Sequence, residues 1–201
     1  MSVAAIYLAH LNPMTSAHAS IISMLMQDYN VYIFPVRFVN DGHEINTKSF
    51  PFSYELRKLM VESVFGDSVS VFPEYTFYAP FKKYMPPLLS SRSWELRNQI
   101  KAQIREQEFV SYTGDKAERL MLKAYRLKPL KANRLEISAS SVKDAIYRQA
   151  IEGGDEEWCS KVPEQVADII RKNWGVVDKF SRMQDSTIRV MGMKFPREGY
   201  R

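Results

Sequence analysis

Val3-Ala4-Ala5-Ile6-Tyr7-Leu8-Ala9 runs straight into His10-Leu11-Asn12-Pro13-Met14-Thr15-Ser16-Ala17-His18, and this junction decides the fold. The first seven residues are apolar without interruption and too few for a core helix, so they read as a strand buried on both faces. A turn around Asn12 and Pro13 follows. From Ser16 to Gln27, Ile21, Ile22, Leu25 and Met26 recur at helical spacing, and Val31 to Val36 is a second short β-rich run. Strand, helix and strand in that order make a crossover unit with parallel strands and a right-handed connection.

The alternation continues outward. Tyr54 to Phe65 reads as a helix, Val69 to Phe72 as a strand, Trp94 to Arg105 as an amphipathic helix and Phe109 to Thr113 as a strand. A helical stretch follows Asp115, then a strand at Arg134 to Ile137 and helices at Ser141 to Ile151 and Glu164 to Lys172. Pro163 suits the first turn of the last of these, where no amide hydrogen is needed. The fold class expected is therefore α/β: a doubly wound, Rossmann-like parallel sheet of about five strands with flanking helices and a small C-terminal addition. Residues 1–173 form the α/β domain in this reading. Residues 174–201 form an extension docked on it or on a partner subunit, with Thr187 to Phe195 as an edge strand or part of that tail. One segment is too long for a plain connection, Glu74 to Ser93, with Tyr75, Phe77, Tyr78, Phe81 and Tyr84. It reads either as a substrate lid or as a hydrophobic cluster covering one end of the sheet.

A chain of 201 residues with 45% hydrophobic residues is long enough for one substantial core. The net charge of +5 favours an anionic partner without choosing among nucleotides, nucleic acid and acidic membranes. A single cysteine, Cys159, excludes an internal disulfide and fits a reducing compartment. The opening apolar run lacks a basic leader, and no apolar stretch approaches the roughly 20 residues of a membrane span. A soluble, cytoplasmic protein with no membrane partner is expected.

In an open parallel sheet, ligands bind beyond the carboxyl ends of the strands, so the loop from Ala9 to His18 is the first candidate site. It delivers the chain directly into a helix, whose unpaired amides and positive dipole end seat phosphate. Ser16 and Ala17 are small enough for close approach, and His18 sits one turn inside. A zinc site from His10, His18, His43 and Cys159 has no ligand spacing to support it. Lys82, Lys83 and Arg92 among aromatics could form a single-strand nucleic-acid surface. Ser141 and Asp144 have capping-box spacing.

The loop resembles the first motif of the nucleotidylyltransferase superfamily, Gly-x-Phe-Asp/Asn-Pro-x-His/Thr-x-Gly-His, through Asn12, Pro13, Thr15 and His18. Ile137-Ser138-Ala139-Ser140-Ser141-Val142-Lys143 resembles its second motif, Ile-Ser-Ser/Gly-Thr-x-Ile/Val-Arg. Lys48 with Phe52 to Met60, Tyr112-Thr113-Gly114-Asp115-Lys116, and Ala145 to Val166 with Trp158 and Val162-Pro163 are similar to further family segments. The resemblance covers roughly Val3 to Asn173. Ala17 replaces the family's second glycine, which strains the site if that backbone needs positive φ. Lys143 replaces an arginine and gives a point charge instead of a fork.

What the resemblance implies is transfer of AMP from ATP to a phosphorylated small molecule, with pyrophosphate released and nicotinamide mononucleotide as the acceptor of choice. Phosphopantetheine adenylylation and cytidylyl transfer are the alternatives within the family. A non-catalytic nucleotide- or RNA-binding module is the alternative outside it, although nucleic acid is not the expected partner. The implied catalytic residues are His18, Thr15 and Lys143. Ala9, His10, Leu11, Asn12, Ala17, Gly114, Asp115, Ile137, Ser138, Ser140 and Ser141 are implied in nucleotide binding. Lys48, Arg57, Tyr84 and Trp94 are implied at the acceptor. Mg2+ is carried with ATP, and the protein is expected to be a homo-oligomer.

Overall fold

Alternation along the first strand divides the interior in two. In β1 (Ala4–Ala9), Ala5 and Tyr7 enter one hydrophobic core, and Ala4, Ile6 and Leu8 enter another on the opposite face. The computed structural model describes residues 2–113, 116–130 and 139–201. After β1 come α1 (Ser16–Leu25), β2 (Asn30–Pro35), β3 (Arg37–Asn40), β4 (His43–Glu44), α2 (Tyr54–Phe65), β5 (Val69–Val71), β6 (Thr76–Tyr78), α3 (Ser91–Ala102) and β7 (Phe109–Tyr112). The chain continues through α4 (Lys116–Ala124), α5 (Ala139–Glu152), α6 (Glu164–Lys172), α7 (Trp174–Ser181), β8 (Thr187–Val190) and β9 (Met193–Pro196).

The main sheet has the order β5-β2-β1-β7, and every pairing in it is parallel. The doubly wound α/β fold is thus present, with four described strands where about five were expected. The expected strand at Arg134 to Ile137 lies outside the described residues. Helices α1, α2, α5, α6 and α7 cover one face, burying Ile22, Met60, Ile146, Ile170 and Val177 against Ala5 and Tyr7. Pro163 proves to be the N-cap of α6, one position before the first turn in which the sequence reading put it.

The second face is aromatic and decides between the alternatives read for two segments. Residues 74–93 are not a lid: β6 pairs in parallel with β3, and Phe77, Phe81 and Tyr84 are buried. Each such ring contributes about 2 kcal/mol on burial, so lifting all of them costs on the order of 6 kcal/mol, too much for a lid opened at every turnover. Nor is 187–195 an edge strand of the main sheet. β8 and β9 form an antiparallel hairpin of their own, and Phe195 is fully buried edge-on to Phe38 and Phe77. The hairpin thus packs on the aromatic face through Phe195. Among the described residues no helix is long and apolar enough to cross a membrane.

Candidate functional site

From β1 the chain crosses to β2 on one flank and later reaches β7 on the other, so the crevice of the sheet opens at the carboxyl end of β1. The loop there is held by its own residues. Asn12 is 1% exposed and pairs with the Phe52 backbone as a strand would: Nδ2 donates to the Phe52 carbonyl at 2.9 Å, and Oδ1 accepts the Phe52 amide at 3.1 Å. The peptide bond to Pro13 is cis. Asn12→Ala leaves that buried amide and carbonyl without partners and is expected to cost roughly 2 kcal/mol, read by urea unfolding; a loss under about 0.5 kcal/mol contradicts this account of the loop.

The anticipated strain at Ala17 does not arise. Ala17 is the second residue of α1, and the left-handed conformation falls instead at Leu11, with φ 49° and its side chain buried in the core beside α1. A Cβ at position 17 faces no positive-φ penalty.

Thr15 and His18 form a capping box in which histidine takes the place of the usual glutamate or glutamine. The Thr15 amide donates to His18 Nδ1 at 3.0 Å, the Thr15 hydroxyl lies 3.0 Å from the same nitrogen, and the His18 amide donates to that hydroxyl at 3.4 Å. Because Nδ1 accepts a backbone hydrogen, the neutral ring carries its proton on Nε2. Burial, with Lys143 adding to it, lowers the His18 pKa to about 4, so the ring is neutral at pH 7. Thr15 is completely buried and acts behind the histidine. His10 is exposed and lies flat on Phe50, ring centroids 4.7 Å apart.

The late helix reaches this loop. Lys143, one turn into α5, donates from Nζ to the Asn12 carbonyl at 2.9 Å. Burial and the neighbouring Lys194 bring its pKa down to about 8, against the opposing pull of Asp144 and Asp185. Helix α5 already begins at Ala139, so Ser140 and Ser141 lie inside its first turn, exposed, rather than ahead of it. Gly114, Asp115, Ile137 and Ser138 lie outside the described residues.

Other expected contacts face elsewhere. Arg57 is 2% exposed, donating to the His10 carbonyl at 2.9 Å, to the Val36 carbonyl at 2.7 Å and to Glu44 at 3.0 Å. It braces the back of the loop. Lys48 donates to the Ser181 carbonyl at 2.7 Å and lies 5.3 Å from the centre of the Tyr147 ring, one turn beyond Lys143 on α5. Tyr84 and Trp94 belong to the second core, on the face of the sheet opposite α1. Tyr84 lines a narrow apolar cavity with Leu8, Tyr75 and Tyr125, while Trp94 packs edge-on against Tyr125 with centroids 5.0 Å apart. The structure thus gathers Ala9, His10, Leu11, Asn12, Thr15, Ala17, His18 and Lys143 around the carboxyl end of β1, where Arg57 bonds the His10 carbonyl. It adds Glu44, Ser49, Asp185 and Lys194, which the sequence reading passed over. Only the Thr15-to-His18 capping spacing offered a local signal; the others are assembled by tertiary contacts.

No family model matches the chain, and no curated protein does. Solved structures do. The bifunctional NMN adenylyltransferase/ADP-ribose pyrophosphatase of Francisella tularensis, crystallised with AMP and a manganese ion, superposes with TM-score 0.65 at 15% identity, over 90% of this chain and 52% of that one. The chain thus spans about half the length of that relative. The nicotinic acid mononucleotide adenylyltransferase of Plasmodium falciparum, complexed with NaAD, gives TM-score 0.51 at 14% identity, over 89% of this chain and 98% of that one. At such identities the likeness establishes the architecture alone: this chain has an α/β fold like that of these adenylyltransferase structures.

Proposed function

We propose that this chain is a nucleotidylyltransferase that moves AMP from ATP to a phosphorylated small molecule, nicotinamide mononucleotide first among candidates, and releases pyrophosphate. The observation that carries the reading is the bond from Lys143 to the Asn12 carbonyl, which joins two segments 131 residues apart beside an imidazole held with its Nε2 proton available. AMP in the Francisella structure and NaAD in the Plasmodium structure favour ATP and a pyridine mononucleotide as the pair to try first.

In this scheme an acceptor phosphate oxygen attacks the α-phosphorus in line. A new phosphorus–oxygen bond forms, the α–β bridge breaks, and pyrophosphate leaves with the electron pair. The protein forms no covalent intermediate, so its contribution is alignment and charge stabilisation. His18 donates from Nε2 to an α-phosphate oxygen. Lys143 meets the triphosphate beside Ser140 and Ser141, and Ser138, Gly114 and Asp115 complete the nucleotide seat. Mg2+ carried by the triphosphate would supply further charge neutralisation beside Lys143. The test is pyrophosphate release from ATP or CTP across nicotinamide mononucleotide, nicotinate mononucleotide, phosphopantetheine and phosphocholine. No release with any pair, joined to salt-sensitive RNA binding, overturns the reading in favour of a binding module.

Lys143 gives the site a pH signature. Its ammonium must be charged to meet the triphosphate, and its pKa in the free protein is about 8. The expected kcat/KM therefore falls on the alkaline side with an apparent pKa near that value. Lys143→Arg moves this limb above about pH 10, because a guanidinium stays charged there. A limb that remains in the arginine variant assigns the titration to another group.

A further inference from the structure

We propose that the tip formed by Leu88 and Leu89, with Lys82 and Lys83 beside it, docks on an anionic lipid bilayer. The inference stands apart from the transferase reading. Residues 75–94 carry Lys82, Lys83 and Arg92 and no acidic residue. The sequence offered these cations and their aromatic neighbours as a surface for single-stranded nucleic acid, which needs rings free to stack on bases. The structure withdraws the rings. Phe77, Phe81 and Tyr84 are buried, and Tyr78 is the one exposed ring of the segment. What stands outside is aliphatic: Leu89 is 84% exposed, more than any other large hydrophobic side chain among the described residues, and Leu88 beside it is 44% exposed.

The leucines are held outward by bonds that the turn makes for itself. Pro86 and Pro87 open it, and the Leu89 and Ser90 amides both donate to the Pro86 carbonyl at 3.1 Å. The Trp94 indole donates to the Leu88 carbonyl at 3.0 Å. The Ser90 hydroxyl donates to the Lys83 carbonyl, so the tip and the lysine pair are tied together. Two leucines fixed in water gain by entering an apolar medium, and they lose little freedom on doing so because the turn is already ordered.

Charge selects the occupant. Lys82 is exposed, and its ammonium has no partner among the described residues. Lys83 donates to the Ala79 carbonyl at 3.3 Å and forms no ion pair there, whereas Arg92 is already paired with Glu95 at 2.7 Å. An aliphatic point flanked by unpaired ammonium groups matches a bilayer with anionic headgroups. The leucines enter the acyl boundary, the lysines stay with phosphate and carboxylate, and Tyr78 suits the headgroup level. A neutral apolar partner would leave the lysines unanswered. The expectation of no membrane partner rested on the lack of a spanning segment, which a reversible surface contact does not need.

The test is co-sedimentation of the full chain with vesicles of phosphatidylcholine alone and of phosphatidylcholine mixed with phosphatidylserine. Wild type is expected to bind the mixed vesicles and to leave them as salt rises. Leu89→Ser should lower that partition about tenfold. Lys82→Gln with Lys83→Gln should lower it about fivefold for each charge removed. Both variants should melt within about 2 °C of wild type, since neither Leu89 nor Lys82 is buried. No binding to the mixed vesicles, equal binding to both kinds, or undiminished binding by Leu89→Ser overturns the proposal. Two other results overturn it and name a different occupant. Salt-sensitive RNA binding that survives Leu89→Ser, without vesicle binding, gives the lysines to nucleic acid. Self-association abolished by Leu89→Ser, again without vesicle binding, gives the leucines to a second copy of the chain.

Discussion

His18→Ala is expected to lower turnover about 10²–10³-fold while the fold persists, the loss typical of one donor removed from a charge developing in the transition state. The ring's tautomer is what makes the effect specific. Thr15 presents its backbone N–H to Nδ1, so the proton sits on Nε2, and the low pKa of about 4 keeps the ring a neutral donor through the physiological range. Helix α1 survives the change, because the Thr15 hydroxyl still accepts the amide of residue 18 and only one half of the capping box is lost. That half is worth about 0.5–1 kcal/mol. Circular dichroism and urea unfolding should therefore look nearly native where the pyrophosphate assay does not. Near-normal turnover in the variant takes His18 out of the mechanism.

The same histidine ties stability to acid. Its folded pKa lies below the unfolded value of about 6.5, so between those limits the unfolded chain binds more protons and stability falls as the pH falls. Protonation also converts Nδ1 from acceptor to donor, facing the Thr15 amide with a like dipole. The alanine variant should lose this part of the acid sensitivity, giving a check on the geometry that needs no substrate.

How much was legible follows from where each signal resides. Helices α2 and α6 have the bounds that their apolar spacing predicted, Tyr54–Phe65 and Glu164–Lys172, because a repeat of 3.6 residues declares itself over three turns. The strand β1 was legible for the related reason that burial on both faces leaves no polar position. Strands β3, β4 and β6 are two to four residues long, too short for any period, and exist because a neighbour supplies the ladder. The site divides the same way. Thr15 and His18 are local, three residues apart, and were named. Lys194 reaches Ser49 across 145 residues, and Lys48 turns from its expected place through a contact with Ser181, 133 residues away. Neither contact is written in a motif: the first depends on where the hairpin docks, with Phe195 in an aromatic core, and the second on where α7 packs.

Arg57 is where fold and site are most tightly joined, and Arg57→Met is expected to destabilise the protein by about 3–5 kcal/mol. The guanidinium is nearly sealed from water, with 3% of its side chain exposed, yet it stays charged: burial lowers its pKa to about 10, and Glu44 opposes the fall. Methionine fills similar volume but abandons the carbonyls of His10 and Val36 and leaves the Glu44 carboxylate without its cation. Glu44 keeps one compensation, since both of its oxygens accept the amide of Tyr54 at the start of α2, where the helix dipole also favours an anion. The loss is therefore uneven: α2 keeps its N-terminal anchor while the loop after β1 loses its floor. Urea unfolding should show a lower midpoint with little change in slope. Arg57→Met combined with Glu44→Gln should recover part of the loss, because the pair shares one buried charge and its single effects do not add. A single-variant loss below about 1 kcal/mol means that Arg57 is hydrated and loosely held, and that the loop carrying His10 and His18 is braced by Asn12 instead.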